Sequence, residues 1–147
     1  MLKKIWNVKI YIWLVIVYPP KVIEYFQYMP RVGVLNQYDP NVGVGLFESS
    51  CCGVVQFFVE ADQNEQILDI KYKVKGCPVV MAASAYLAEI CLGSTCLQAI
   101  QIQGTQIAQA LDLSFKYARK TNIPLKALLQ AIAVCQAKIR RKYSNAQ

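Results

Sequence analysis

Hydrophobic and polar positions alternate cleanly along residues 67–75 (ILDIKYKVK). Ile70, Tyr72 and Val74 fall on one side, and Asp69, Lys71, Lys73 and Lys75 on the other. A period of two marks a β-strand with one wet face. Residues 54–60 (VVQFFVE) are β-branched and aromatic, which is strand composition, and the polar run Asp62, Gln63, Asn64 and Glu65 makes the turn between the two. Residues 30–44 are rich in Gly, Asn, Asp and Pro and read as loop, and residues 42–47, valine alternating with glycine, offer a first strand at its end. The pattern is a meander of antiparallel strands.

The period then changes. Residues 18–28 (YPPKVIEYFQY) place Val22, Ile23 and Phe26 at helical spacing behind a Pro19-Pro20 start. Gly76-Cys77-Pro78 closes the strand region, and Pro78 suits the first turn of a helix reaching about Cys91, with Gly93 at its stop. Thr95 is placed to cap a short helix over residues 97–100. Residues 105–118 read as one further helix. The last runs from Pro124 towards Lys142, with Leu125, Leu128, Leu129, Ile132, Cys135 and Ile139 on one stripe. Strands followed by helices predict an α+β domain: an antiparallel three-stranded sheet with helices packed on one face. Residues 18–147 form this domain. Residues 1–17 are an apolar and basic N-terminal extension, read as a packed strand or helix, as sequence upstream of the true start, or as an interfacial anchor. Its apolar run, residues 10–17, is too short to span a bilayer, which takes about 20 residues.

Composition narrows the chemistry. With 55% hydrophobic residues and a mean hydropathy of +0.27, the chain folds. The net charge of +7 gathers towards the ends, at Lys3, Lys4 and Lys9 and at Lys138, Arg140, Arg141 and Lys142, without the aromatic interleaving of a nucleic-acid surface. No nucleic-acid partner is therefore expected. Six cysteines in 147 residues are too few for a disulfide-built domain, and a reduced, cytoplasmic protein is the expectation. There is no histidine, so His-based triads, His-containing zinc sites and imidazole bases are excluded. Metal chemistry here rests on thiolates, carboxylates or ligands from outside the chain.

Two thiol sites stand out. Cys51 and Cys52 lie in a loop (FESSCCGVV) just before a strand, and Cys77 lies between a strand end and a helix start (KGCPVV). A thiol at a helix start faces unpaired N–H groups and the positive end of the helix dipole, an environment that favours thiolate. Pairing of the neighbouring strands brings Cys52 and Cys77 to one end of the sheet. Cys91, Cys96 and Cys135 sit among apolar residues and read as core.

These features, in order and spacing, resemble NifU/IscU-type iron–sulfur cluster scaffolds. That family carries a Cys-Gly-Asp loop before a strand and, about 25 residues later, a Gly-Cys opening a helix with a small-residue run. The counterparts are Cys52-Gly53, then Gly76-Cys77 followed by Ala82, Ala83, Ser84 and Ala85. YPPKVIEYF resembles the family's opening helix, RVGVLNQYDPNVGVGL its Val-Gly loop, and LAEICLGSTCLQAIQIQGTQIAQAL its helical half. The resemblance implies a non-enzymatic scaffold that binds iron or a [2Fe–2S] cluster through Cys52 and Cys77, receives sulfur from a cysteine desulfurase and meets a further scaffold subunit. The family's aspartate falls at Val54, and the place of its third cysteine falls at Lys120 or Leu129, so neither ligand is retained. The stretch recognised by the family's chaperone is altered as well. Cys51 is a candidate substitute metal ligand, with Cys135 a further one. The losses leave two other readings: an interaction module of the assembly machinery that no longer holds a cluster, and a zinc protein built on several converging cysteines.

Overall fold

A computed structural model of the chain describes residues 8–145. The order is α1 (Val8–Val17), α2 (Pro20–Tyr28), β1 (Val42–Ser49), β2 (Gly53–Ala61), β3 (Ile67–Gly76), α3 (Pro78–Cys91), α4 (Cys96–Ala99), α5 (Gly104–Ala110), α6 (Phe115–Ala118) and α7 (Asn122–Asn145), with a 3₁₀ turn at Arg119–Thr121 joining the last two. The strands form one antiparallel sheet in the order β1-β2-β3. The α+β architecture matches the expectation from the hydrophobic pattern.

Alternation decides which face of the sheet is covered. Val55, Phe57 and Val59 of β2 and Ile70 and Tyr72 of β3 point to the helix side and are fully buried. On the opposite side, Leu46, Gln56 and Lys73 line up in register across the three strands, beside an open groove. Helix α7 lies over β1 and β2, presenting Leu128, Ala131, Ile132 and Cys135. Helix α3 lies over β3, and its small residues Ala82, Ala83, Ser84 and Ala85 are all buried. Ser84 satisfies its hydroxyl by donating to the Val80 carbonyl at 2.8 Å.

The approach of α7 to β1 is possible only because β1 lacks side chains there. A Cβ on Gly43 would run into the Ala131 carbonyl and the Cys135 backbone nitrogen, and one on Gly45 into the Ala127 carbonyl. Cys135 is fixed at this crossing, with its Sγ 3.2 Å from the Asn41 carbonyl. That is the end of β1 remote from Ser49, so Cys135 is ruled out as a substitute metal ligand and is a core residue.

Two local readings are corrected. Residues 105–118 are not one helix: α5 stops at Ala110 because Asp112 turns left-handed (φ 54°), and Leu113 N–H bonds back to the Ala108 carbonyl at 2.8 Å. This closes the helix as glycine usually does, with aspartate in its place. Helix α7 begins two residues before Pro124, whose missing N–H costs nothing in a first turn. Thr95 does cap α4, as expected, in a reciprocal box with Gln98 (3.0 and 3.1 Å).

In the extension, residues 1–7 lie outside the described residues, and 8–17 form α1. Only Leu14 of α1 is buried; Trp13 meets the Tyr18 ring edge-on at 6.3 Å, while Ile16 is 77% exposed. No helix among the described residues is long and apolar enough to cross a membrane.

Gly43→Ala is expected to lose about 1–3 kcal/mol of stability through forced displacement of α7, read as a lower urea midpoint; an unchanged midpoint would contradict the packing described. Burial pushes the Cys91 and Cys96 thiols up to about 12, from 9.0. The folded chain thus holds protons that the unfolded chain releases first. Their contribution is full below about pH 9 and is lost as pH rises towards 12. Urea midpoints should fall across that window, and less steeply in Cys91→Ala.

Candidate metal centre

The last rung of the β2–β3 ladder pairs Gly53 with Gly76. Continuing the chain by one residue on each strand places Cys52 opposite Cys77, and Cys77 N–H donates to the Cys52 carbonyl at 3.3 Å. The two predicted residues therefore meet at one rim of the sheet. Gly53 leaves the turn with φ 122°, a conformation that side chains disfavour. Cys77 is the N-cap residue of α3, and its side chain makes no capping bond to that helix.

Cys51 joins them. Residues 50–52 form the turn between β1 and β2, and a turn releases neighbours from the opposite-facing rule of a strand. The Cys51 and Cys52 Sγ atoms are 2.8 Å apart, and the Ser49 hydroxyl is 3.5 Å from the Cys51 Sγ. Cys51, Cys52 and Cys77 line a shared open cleft of about 660 Å³ with Glu48, Ser49, Val54 and Lys75. Cys51 is exposed, and Cys52 and Cys77 are half-buried. Cys91, Cys96 and Cys135 are sealed in the core, so the thiol content divides into three at the rim and three inside. Val54 also lines the cleft and brings no donor.

Of the two positions weighed for the third cysteine, Lys120 is carried on the 3₁₀ turn between α6 and α7 and lines a cleft with Cys51 and Cys52. That turn is anchored by the buried Thr121, whose hydroxyl donates to the Ala118 carbonyl at 2.6 Å and reaches the Gly104 carbonyl at 3.3 Å. Partial burial works against the Lys120 charge, but the electrostatics of nearby Cys77, Cys52 and Tyr18 outweigh it and raise its pKa. An ammonium group thus stands beside the rim thiols. Tyr117 flanks it, with Lys120 Nζ 5.3 Å from the ring centroid and the Tyr18 ring 5.7 Å away. Sequence reasoning had placed Lys120 at the missing ligand only as an alternative to Leu129 and had not assigned Tyr117 at all.

The hydrogen bond between the neighbouring sulfurs splits their acidity. It lowers the Cys51 pKa, with help from Ser49, and raises that of Cys52, with burial adding to the rise. Among the described residues no group of three or more Cys, Asp or Glu is gathered closely enough to hold a metal ion. The rim supplies soft donors suited to iron and sulfide, but not a complete ligand set.

Residues 17–142 match the NifU-like N terminal domain family. The chain belongs to this family. It is 34% identical over 122 residues to the iron-sulfur cluster assembly scaffold protein IscU of Haemophilus influenzae, covering 82% of this chain and 97% of that protein. It is 36% identical over 98 residues to the mitochondrial iron sulfur cluster assembly protein 1 of Debaryomyces hansenii, covering 65% of this chain and 55% of that one. The chain thus spans about half the length of several fungal relatives. The N-terminal NifU-like protein of Brucella abortus shares the fold, with a TM-score of 0.66 at 19% identity over 81% of this chain and 94% of that one.

Alkylation of the native protein by iodoacetamide should modify Cys51 first and Cys52 more slowly, leaving Cys91, Cys96 and Cys135 protected until unfolding. Site-resolved mass spectrometry checks the order; equal labelling of a core thiol would contradict the division.

Proposed function

We propose that this chain is an iron–sulfur cluster assembly scaffold whose cargo, iron and sulfide, is held at the rim by Cys52 and Cys77, with Cys51 within reach, and whose sulfur arrives from a cysteine desulfurase. The observation that carries this reading is the meeting of Cys52 and Cys77 across the end of one strand pair, at an open cleft, while every other cysteine but Cys51 is sealed away. The family membership and the likeness to the scaffold protein of Haemophilus influenzae support it. A scaffold binds and hands on its cargo, so no catalytic residue is assigned.

The ligand set explains how such a site would behave. Tetrahedral iron needs four donors, and two or three thiolates leave it short. A cluster of the [2Fe–2S] type would need a ligand from outside the chain, from the desulfurase or a second scaffold subunit, and would be labile. Lys120 places a cation beside the rim thiols before cargo arrives and has to swing away as iron enters. A structural zinc site has less support, because it needs four converging donors.

One observation favours a second reading. Lys120 lines a cleft together with Cys51 and Cys52, so a cation stands beside the thiols that a cluster requires. In that reading the rim stays closed to metal and the chain serves the machinery as a docking module.

Anaerobic incubation with ferrous iron, sulfide and a cysteine desulfurase separates the two. The scaffold predicts thiolate-to-iron charge-transfer bands in the visible spectrum that fall at least several-fold in Cys52→Ala and Cys77→Ala, and it predicts that Lys120→Cys lengthens cluster lifetime. A colourless, metal-free protein that still co-purifies with the desulfurase would select the docking module.

A further inference from the structure

The pairing of Cys51 with Cys52 is not explained by cluster binding, because one thiol contacting another offers iron no better geometry than either alone. We propose that Cys51 is a resolving thiol that releases sulfide from a persulfide carried on Cys52, the two residues closing a disulfide between themselves. The inference rests on the reading of the rim as a receiver of sulfur, and deepens it.

The geometry is already close to what the step requires. The Cys51 Sγ lies 2.8 Å from the Cys52 Sγ, the atom it would attack. The Ser49 hydroxyl lies 3.5 Å from Cys51 Sγ on its other side, and Cys51 N–H donates to the same hydroxyl at 3.4 Å, so the turn fixes the attacking residue. Cys51 is exposed and Cys52 half-buried, so an incoming sulfur reaches Cys52 from the cleft while Cys51 closes on it from solvent.

A second cleft, of about 290 Å³, opens behind the turn. Cys51 and Cys52 line it together with Arg119, Lys120 and Lys126, and no acidic residue is among its lining. Lys126 is held over the Phe47 ring at 4.9 Å. Three cations beside a sulfur pair favour an anionic sulfur species, and hydrosulfide is the anion this step expels.

The step balances. Cys51–SH and Cys52–S–SH give the Cys51–Cys52 disulfide and H₂S. The Cys51–Cys52 sulfur bond forms and the bond from Cys52 to the terminal sulfur breaks. The terminal sulfur leaves as hydrosulfide and takes the proton that Cys51 gave up. Counting the transferred sulfur as neutral, the two cysteine sulfurs together supply the two electrons that make it sulfide. An external dithiol then restores the pair by exchange. Neighbouring Cα atoms are about 3.8 Å apart, below the usual 4.4–6.8 Å of a bridge, so the disulfide is strained and readily reduced. The site thereby converts sulfane sulfur, which a cluster cannot use, into sulfide, which it can.

The test uses the full chain, reduced and freed of small thiols. It is pulsed with inorganic polysulfide, desalted anaerobically, and followed by sulfide assay and by intact and peptide mass. Wild-type protein should release sulfide near one equivalent and finish two hydrogens lighter than its reduced form, with the bridge mapped between Cys51 and Cys52. Cys51→Ser and Cys51→Ala should stay one sulfur heavier, with that sulfur mapped to Cys52, and release on the order of tenfold less sulfide. Equal release by wild type and both variants, or a bridge mapped elsewhere, would overturn the step and leave the scaffold reading standing. Failure of wild type to take up sulfur at all would sink both.

Discussion

The site depends on one backbone contact, the pairing of Gly53 with Gly76 where β2 begins and β3 ends. The two chains lie so close there that a Cβ on Gly53 would strike the Lys75 carbonyl, and one on Gly76 the Cys52 carbonyl. Only glycine on both strands permits the approach, and the approach brings Cys52 and Cys77 face to face. The sheet transmits this constraint from the core. Phe57 and Tyr72 pack together in register farther along the same pair, with ring centroids 5.7 Å apart, and a slip of one residue would turn the ring of the slipped strand outward. Register at the rim is thus set by burial in the middle.

At the positions where the resemblance implies an aspartate and, in one of two registers, a third thiol, the chain carries Val54 and Lys120. A lysine beside the thiols places positive charge where an incoming metal cation would arrive. Arg119 and Lys126 extend the positive field along the second cleft. A cleft of three cations and no acid beside the Cys51–Cys52 pair is the feature on which the proposed handling of anionic sulfur rests.

Much of this was legible beforehand. The three strands, the α3 start at Pro78, the Thr95 cap and the meeting of Cys52 with Cys77 all follow from local rules: period, turn residues, helix caps and the pairing of neighbouring strands. What escaped depended on tertiary context. The break after Ala110 uses an aspartate at a left-handed position that glycine normally marks, so the sequence carries no warning at Asp112. Cys135 shares the thiol chemistry of the rim residues, and only the crossing of α7 over Gly43 shows that it lies at the far end of β1. Lys120 is brought to the thiols by a 3₁₀ turn whose anchor, Thr121, bonds to Gly104, seventeen residues earlier.

The convergence of the rim sulfurs is open to direct chemical measurement with dibromobimane, which fluoresces only when it bridges two nearby thiols. In Cys51→Ser protein under native, reducing-agent-free conditions, the bridge should form rapidly and map to Cys52 and Cys77. Single alkylation without a bridge, or a bridge appearing only after denaturation, would contradict the site from which every functional statement starts.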